Sequence, residues 1–180
     1  MLTTPSIFLA LAQALMPQPA ASPPAPNQSG ARAVAAQPCT AAEPLPAALA
    51  AWSRPERLSA GIAQGASLPV LRVGRAATLR LQPAASLRLV RVPATAPADA
   101  RGGMVAFTVG QAGHYRVALE SKGWIDVLKD GQPLESSSHG HGPRCTGIRK
   151  LVGFTLQPGR YVLQLSNVPQ DAVRVLIARS

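Results

Sequence analysis

The sequence predicts an all-β protein: an antiparallel β-sandwich of the jelly-roll kind over residues 68–180, preceded by a disordered N-terminal segment. Three observations predict it. Short segments that alternate aliphatic with polar or basic residues recur from Leu68 onward. Turn signals QPAA, QAGH, KDGQ, QPGR and NVPQD separate many of them. No stretch after Leu68 keeps a helical period long enough for a core-packed helix.

The chain opens MLTTPSIFLALAQALMPQPAAS. Residues 7–16 form an apolar run of the length of a signal-peptide core, with cleavage options at Ala20 and Ala21. The run is too short to cross a bilayer as a helix, and the region before it carries no Lys or Arg. The expectation is a signal peptide over 1–21 and a periplasmic or secreted protein that is not transmembrane. Residues 22–38 are Pro, Ala, Ser and Gln with almost no large apolar side chains, which cannot bury enough surface to offset chain entropy. They read as a disordered linker. Residues 39–67 read as an extension packing on the domain, with a short helical turn around 45–52 that Pro55 interrupts, and with Trp52 as the docking residue.

Nine segments then read as strands: VLRVGR (70–75), ATLRLQP (77–83), SLRLVRV (86–92), GMVAFTV (103–109), HYRVALE (114–120), WIDVLKDG (124–131), GIRKLVGFTL (147–156), RYVLQLS (160–166) and AVRVLIAR (172–179). Two turns set their registration. FTVGQAGHYRVALE and FTLQPGRYVLQLS read as hairpins of the same grammar, each with a glycine-containing turn and an aromatic after it. Phe107, Val109, Tyr115, Val117 and Leu119 face the core in the first, and Phe154, Leu156, Tyr161, Leu163 and Leu165 in the second. Asp130-Gly131 marks a further turn.

The stretch GGMVAFTVGQAGHYRVALESKGWIDVLKDGQ, with the closing FTLQPGRYVLQLSN, resembles the bacterial pre-peptidase C-terminal type of β-sandwich in its AGxY turn, DVLKDG strand and PGxYxLxL closing segment. The likeness covers about half the chain and implies a fold. Residues 39–180, above all HGHGPRCTGIRK, also resemble small secreted alphaproteobacterial proteins of undefined role, some of which carry the name homogentisate 1,2-dioxygenase. That name implies a non-haem iron held by two histidines and a glutamate. Glu135, His139 and His141 supply those letters, but the cupin spacing departs: Cys145 stands where the glutamate belongs, and QPGRYVLQLSN has no histidine.

The formal net charge is +10. Such a balance raises nucleic acid as a partner, yet the arginines stand singly along the strands, and two Trp, two Tyr and three Phe form no row of stacking platforms. Nucleic acid is therefore not expected. Serines 136–138 lie near the histidines and near Asp126 and Asp130, but no G-x-S-x-G elbow accompanies them.

The chemistry concentrates in SSSHGHGPRC, residues 136–145. Cys39 and Cys145 are an even pair that an oxidising compartment would join, the alternative being two free thiols. On an extended strand His139 and His141 would point the same way and could chelate Zn or Cu, or Fe under the dioxygenase name, with Cys145 adding a thiolate if it is free and Glu135 or His114 coming in through the fold. Gly140, Gly142 and Pro143 speak against a strand there. Arg144, Arg149 and Lys150 flank the histidines, so an anionic ligand suits this face. Trp124 lies either in the sandwich core, the commoner place for a strand tryptophan, or on the surface as a platform for a sugar ring. The expected function is a secreted or periplasmic, non-catalytic binding or envelope-associated accessory module. Its expected partner is an acidic glycan or another envelope component, and no cofactor is expected. The alternative is a metal-dependent enzyme of the dioxygenase name, with His139 and His141 as ligands.

Overall fold

The computed structural model describes residues 39–65 and 67–180; the expected signal peptide and linker lie outside the described residues. The strands are β1 (Glu56–Ser59), β2 (Ala76–Arg80), β3 (Gln82–Pro83), β4 (Arg101–Val109), β5 (Gly113–Leu119), β6 (Trp124–Lys129), β7 (Gln132–Pro133), β8 (Ser138–Gly140), β9 (Lys150–Leu156), β10 (Gly159–Val168) and β11 (Ala172–Arg179). They form two sheets, one in the order β1-β2-β11-β5-β9-β8 and one in the order β3-β4-β10-β6-β7. β1 runs parallel to β2, and the other pairings are antiparallel. The protein is an all-β sandwich, as the alternation predicts.

Successive strand side chains point to opposite faces, so every second residue of the long strands meets the facing sheet. Val105, Phe107 and Val109 of β4, Tyr115, Val117 and Leu119 of β5, Val152, Phe154 and Leu156 of β9, and Tyr161, Leu163 and Leu165 of β10 all lie in one buried core. These include all ten residues that the sequence directs inward.

The two expected hairpins are something else. β4 and β5 belong to different sheets, as do β9 and β10, so each glycine turn is an arch that carries the chain across the sandwich. The strands that pair are β4 with β10 and β5 with β9, which sets Phe107 opposite Tyr161 and Tyr115 opposite Phe154. Phe107 and Tyr161 stack with ring centroids 5.4 Å apart. Each arch is closed by its own tyrosine: Tyr115 Oη donates to the Gln111 carbonyl at 2.7 Å and Tyr161 Oη to the Gln157 carbonyl at 2.8 Å. The shared grammar is thus Q-x-G-x-Y. A hairpin and an arch write the same inward alternation, because both flanking strands face one core either way. A true two-residue hairpin occurs at Asp130-Gly131 between β6 and β7, where φ is +51° and +78° as a type I′ turn requires.

Segment 70–75 is not a strand: Val70 makes one isolated bridge to Ala106, and Gly74 turns the chain at φ +79°. Segment 86–92 is not a strand either. It is part of a strap across the outer face of the five-stranded sheet, with Arg88 N donating to Ile62 O at 2.8 Å and Val90 N to Gln164 Oε1 at 2.8 Å. A strap on a sheet alternates buried and solvated residues as a strand does, which is why the two look alike. Conversely, β1 lies in the stretch assigned to the extension, and β8 runs through the histidine segment despite its glycines.

The outer face of the six-stranded sheet is covered by the extension. Ala47–Ser53 forms a 3-10 helix whose Leu49 and Trp52 pack on Ala76, Ala118, Leu176 and Ala178. The three alanines leave room for the indole. Trp52 Nε1 donates to Thr146 O at 3.0 Å, and the Arg174 guanidinium stands 5.3 Å from the ring centroid. No helix among the described residues is long and apolar enough to cross a membrane.

Candidate functional site: a basic cleft beside the histidine loop

Strand β8 pairs with β9, setting His139 opposite Val152 and Gly140 opposite Leu151. Beyond Gly140 the chain leaves the sheet in a loop that returns at Lys150. That loop is held by hydrogen bonds within itself and to the end of β5. Gly142 N donates to Ile148 O at 3.2 Å, Thr146 Oγ1 to Pro143 O at 2.7 Å, and Arg149 N to Leu119 O at 2.9 Å. Gly142 must be glycine because a Cβ there would overlap the Ile148 side chain. Cys145 sits at φ +62° and is bonded to Cys39, with 5.4 Å between the two Cα atoms. Glu43 adds a second tie: its backbone N donates to Arg144 O and its carboxylate accepts from Arg144 N, both at 2.9 Å. The loop is therefore stapled to the extension, and Trp52 holds the same loop through Thr146.

The loop forms one wall of an open cleft of about 670 Å³, lined by Ser121, Lys122, Gly123, His139, Gly140, His141, Ile148, Arg149 and Lys150. Of the residues that the sequence singles out, His139, His141, Arg149 and Lys150 meet here. Arg144 does not line the cleft; it lies on the Cys145 turn beside Glu43. Lys122 does line it and was missed, because only the pairing of β5 with β9 brings the ESKGW connection between β5 and β6 beside the histidine segment.

The electrostatics favour negative charge in the cleft. Three basic side chains and two imidazoles converge, and no carboxylate is among the lining residues. Lys150 is partly desolvated, which lowers its pKa from the ordinary lysine value, while nearby Asp126 acts in the opposite direction. Its Nζ donates to Gly123 O at 2.7 Å and stands 5.3 Å from the centroid of the Trp124 ring. Trp124 is not in the core: it is 58% exposed. It opens the strand after Gly123, and its neighbour Ile125 takes the inward position.

The metal set is not assembled. His141 Nδ1 lies 2.8 Å from Arg149 O; because a carbonyl only accepts, Nδ1 carries the proton and donates. His139 Nε2 is 3.1 Å from Ser136 Oγ. Glu135 turns instead to Arg91 at 3.8 Å, and Cys145 is consumed in the disulfide. His114 lies near Thr155, across β5 and β9. Among the described residues no three His, Cys, Asp or Glu side chains form a group able to hold a metal ion. The residues present therefore do not fit the iron centre that the dioxygenase name implies.

On the outer face of the five-stranded sheet lies a buried polar network. Gln164 is fully buried, accepts from Val90 N, and donates to Arg91 O at 2.9 Å and to Asp126 Oδ2 at 3.2 Å. Burial pushes the Asp126 carboxyl above its ordinary range; the Gln164 hydrogen bond and the Arg91 charge partly offset this.

Fold and cleft together define a disulfide-stapled β-sandwich with a basic surface groove. No protein-family model matches the chain, and no curated protein matches it. Among solved structures it is similar to the pre-peptidase C-terminal domain of a collagenase from Bacillus anthracis, at 9% identity and a TM-score of 0.38, over 63% of this chain and 97% of that one. At that level of likeness nothing is transferred from the collagenase domain, and the sandwich assignment rests on the strand pairing itself.

Proposed function

We propose that this protein is a non-catalytic binding module of a periplasmic or secreted kind, which takes an acidic glycan in the cleft between the histidine loop and the Ser121–Gly123 connection. The observation that carries the reading is the convergence of Lys122, Arg149 and Lys150 with two imidazoles in a cleft whose lining holds no carboxylate. The disulfide supports an oxidising compartment. Carboxylates along a glycan would exchange water for charge-assisted hydrogen bonds from Arg149 and Lys122.

The test is binding of the full chain to polygalacturonate, with uncharged dextran as the comparison. Binding is expected to favour polygalacturonate and to weaken as salt rises, because exposed charges are screened. Lys122→Ala with Arg149→Ala is expected to reduce affinity by about tenfold or more. Arg144→Ala, off the cleft, is expected to do less. Equal binding by the double variant and the parent protein would sink the proposal.

A further inference from the structure

Beyond the basic cleft, a second concavity of about 340 Å³ lies on the outer face of the five-stranded sheet, between β6, β10 and strap residues 91–94. Its volume is at the lower end for small-molecule sites. The floor follows from register: Trp124 stands opposite Ser166 and Asp126 opposite Gln164, with all four side chains away from the core. The wall is the strap, held down by Gln164 at Arg91 O and by Asn167 Nδ2, which donates to Thr95 O at 2.7 Å.

Three features of this hollow are not explained by stability. Trp124 leaves 58% of its surface to solvent even with Lys150 Nζ 5.3 Å from its ring centroid, an unfavourable exposure for the largest apolar side chain. Ser166 is 2% exposed, lines the hollow, and its Oγ has no hydrogen-bond partner among the described residues. Such an orphan carries a desolvation cost that a ligand hydroxyl would relieve. Asp126, also lining, has a 7% exposed side chain and a long 3.5 Å contact to Arg91, which leaves carboxylate lone pairs with room to accept.

We propose that this hollow is a binding site for a neutral pyranose ring, with the sugar's C–H face on the Trp124 indole and its hydroxyls meeting the Asp126 carboxylate and the Ser166 hydroxyl. A pyranose presents an apolar face and a hydroxyl rim, and the hollow offers an aromatic plane beside one strong acceptor and one unpartnered hydroxyl. The site does not depend on the anion-binding reading of the neighbouring cleft.

The experiment titrates the full chain with neutral oligosaccharides of glucose, galactose, mannose and N-acetylglucosamine, following indole fluorescence. Trp52 is buried, so Trp124 is the reporter. At least one sugar of the panel is expected to change the emission saturably, with binding confirmed by calorimetry. Trp124→Ala, read by calorimetry, is expected to weaken that binding by roughly tenfold. Ser166→Ala is expected to weaken it a few-fold while the emission maximum of the free protein stays unchanged. Lys122→Ala with Arg149→Ala is expected to leave it unaltered, which separates this site from the cleft. Absence of saturable binding across the panel, binding that survives Trp124→Ala, or a preference for a simple aromatic such as indole over every sugar would each overturn the proposal.

Discussion

Replacing Trp52 with alanine tests how the domain is closed on its outer side. The indole is 2% exposed and sits among Ala76, Ala118, Ala178, Leu176 and Ile148. Alanines at three of those positions cannot collapse into the space, so the cavity remains and the full cost of truncating a buried aromatic applies, about 4 kcal/mol. The lost hydrogen bond to Thr146 O contributes about 1 kcal/mol within that total. Against a domain stability of roughly 5–15 kcal/mol this is a large fraction, and it corresponds to a fall in Tm of about 12 °C at ~3 °C per kcal/mol. Trp52→Phe keeps most of the ring volume and loses the Nε1 donor, so about 1–2 kcal/mol is expected. The assay is denaturant unfolding followed by circular dichroism, since the remaining Trp124 is exposed and reports little on burial. A loss below about 1 kcal/mol for Trp52→Ala, or equal losses for the two variants, would refute the idea that the extension is docked by a shape-fitted indole.

The disulfide closes a loop with a sequence separation of 106 residues. Loop-closure entropy gives about 4.8 kcal/mol for its removal, with measured values often nearer 2–4 kcal/mol; the double variant Cys39→Ser, Cys145→Ser should show that drop in denaturant midpoint, and an unchanged midpoint would mean that the staple constrains nothing. Asp126→Asn should alter the pH profile of stability. The folded-state pKa of Asp126 is raised, so its favourable contribution is full below the unfolded value of 3.8 and is lost as pH rises through the folded value. Parent stability relative to the asparagine variant should therefore decline as pH rises from about 3.8, and a parallel pair of Tm-against-pH curves would contradict that.

Much of the sandwich was legible because burial on one face writes a period of two into the chain, and the core-facing residues of β4, β5, β9 and β10 obey it. What alternation does not encode is which strand lies beside which. FTVGQAGHY and FTLQPGRY carry a strong turn signal, yet the partner of Phe107 is Tyr161, far along the chain, and not Tyr115. Periodicity also does not separate a strand from a strap, so residues 86–92 read as one when they are the other. At the site, the clustering of His139, His141, Arg149 and Lys150 was visible in one short segment. Lys122 was not, since only the pairing of β5 with β9 brings the ESKGW turn beside that segment. Ser166 was invisible for the same reason: one serine among many acquires meaning only when Trp124 stands opposite it.

Lys150 decides how the two sites must be probed. It lines the cleft, donates to Gly123 O, stands over the Trp124 ring and acts electrostatically on Asp126. Removing it would strip a cation from the cleft, uncover the Trp124 ring and leave Arg91 as the main charge compensating Asp126, so a loss of binding in Lys150→Ala would have three causes. Lys122 and Arg149 line the cleft and not the hollow, and Ser166 lines the hollow and not the cleft. If the acidic-glycan reading and the pyranose reading are both correct, one sugar chain can engage both surfaces, since Lys150 and Trp124 are in contact. Its affinity should then fall with either set of substitutions, while a neutral oligosaccharide responds to the hollow's set alone.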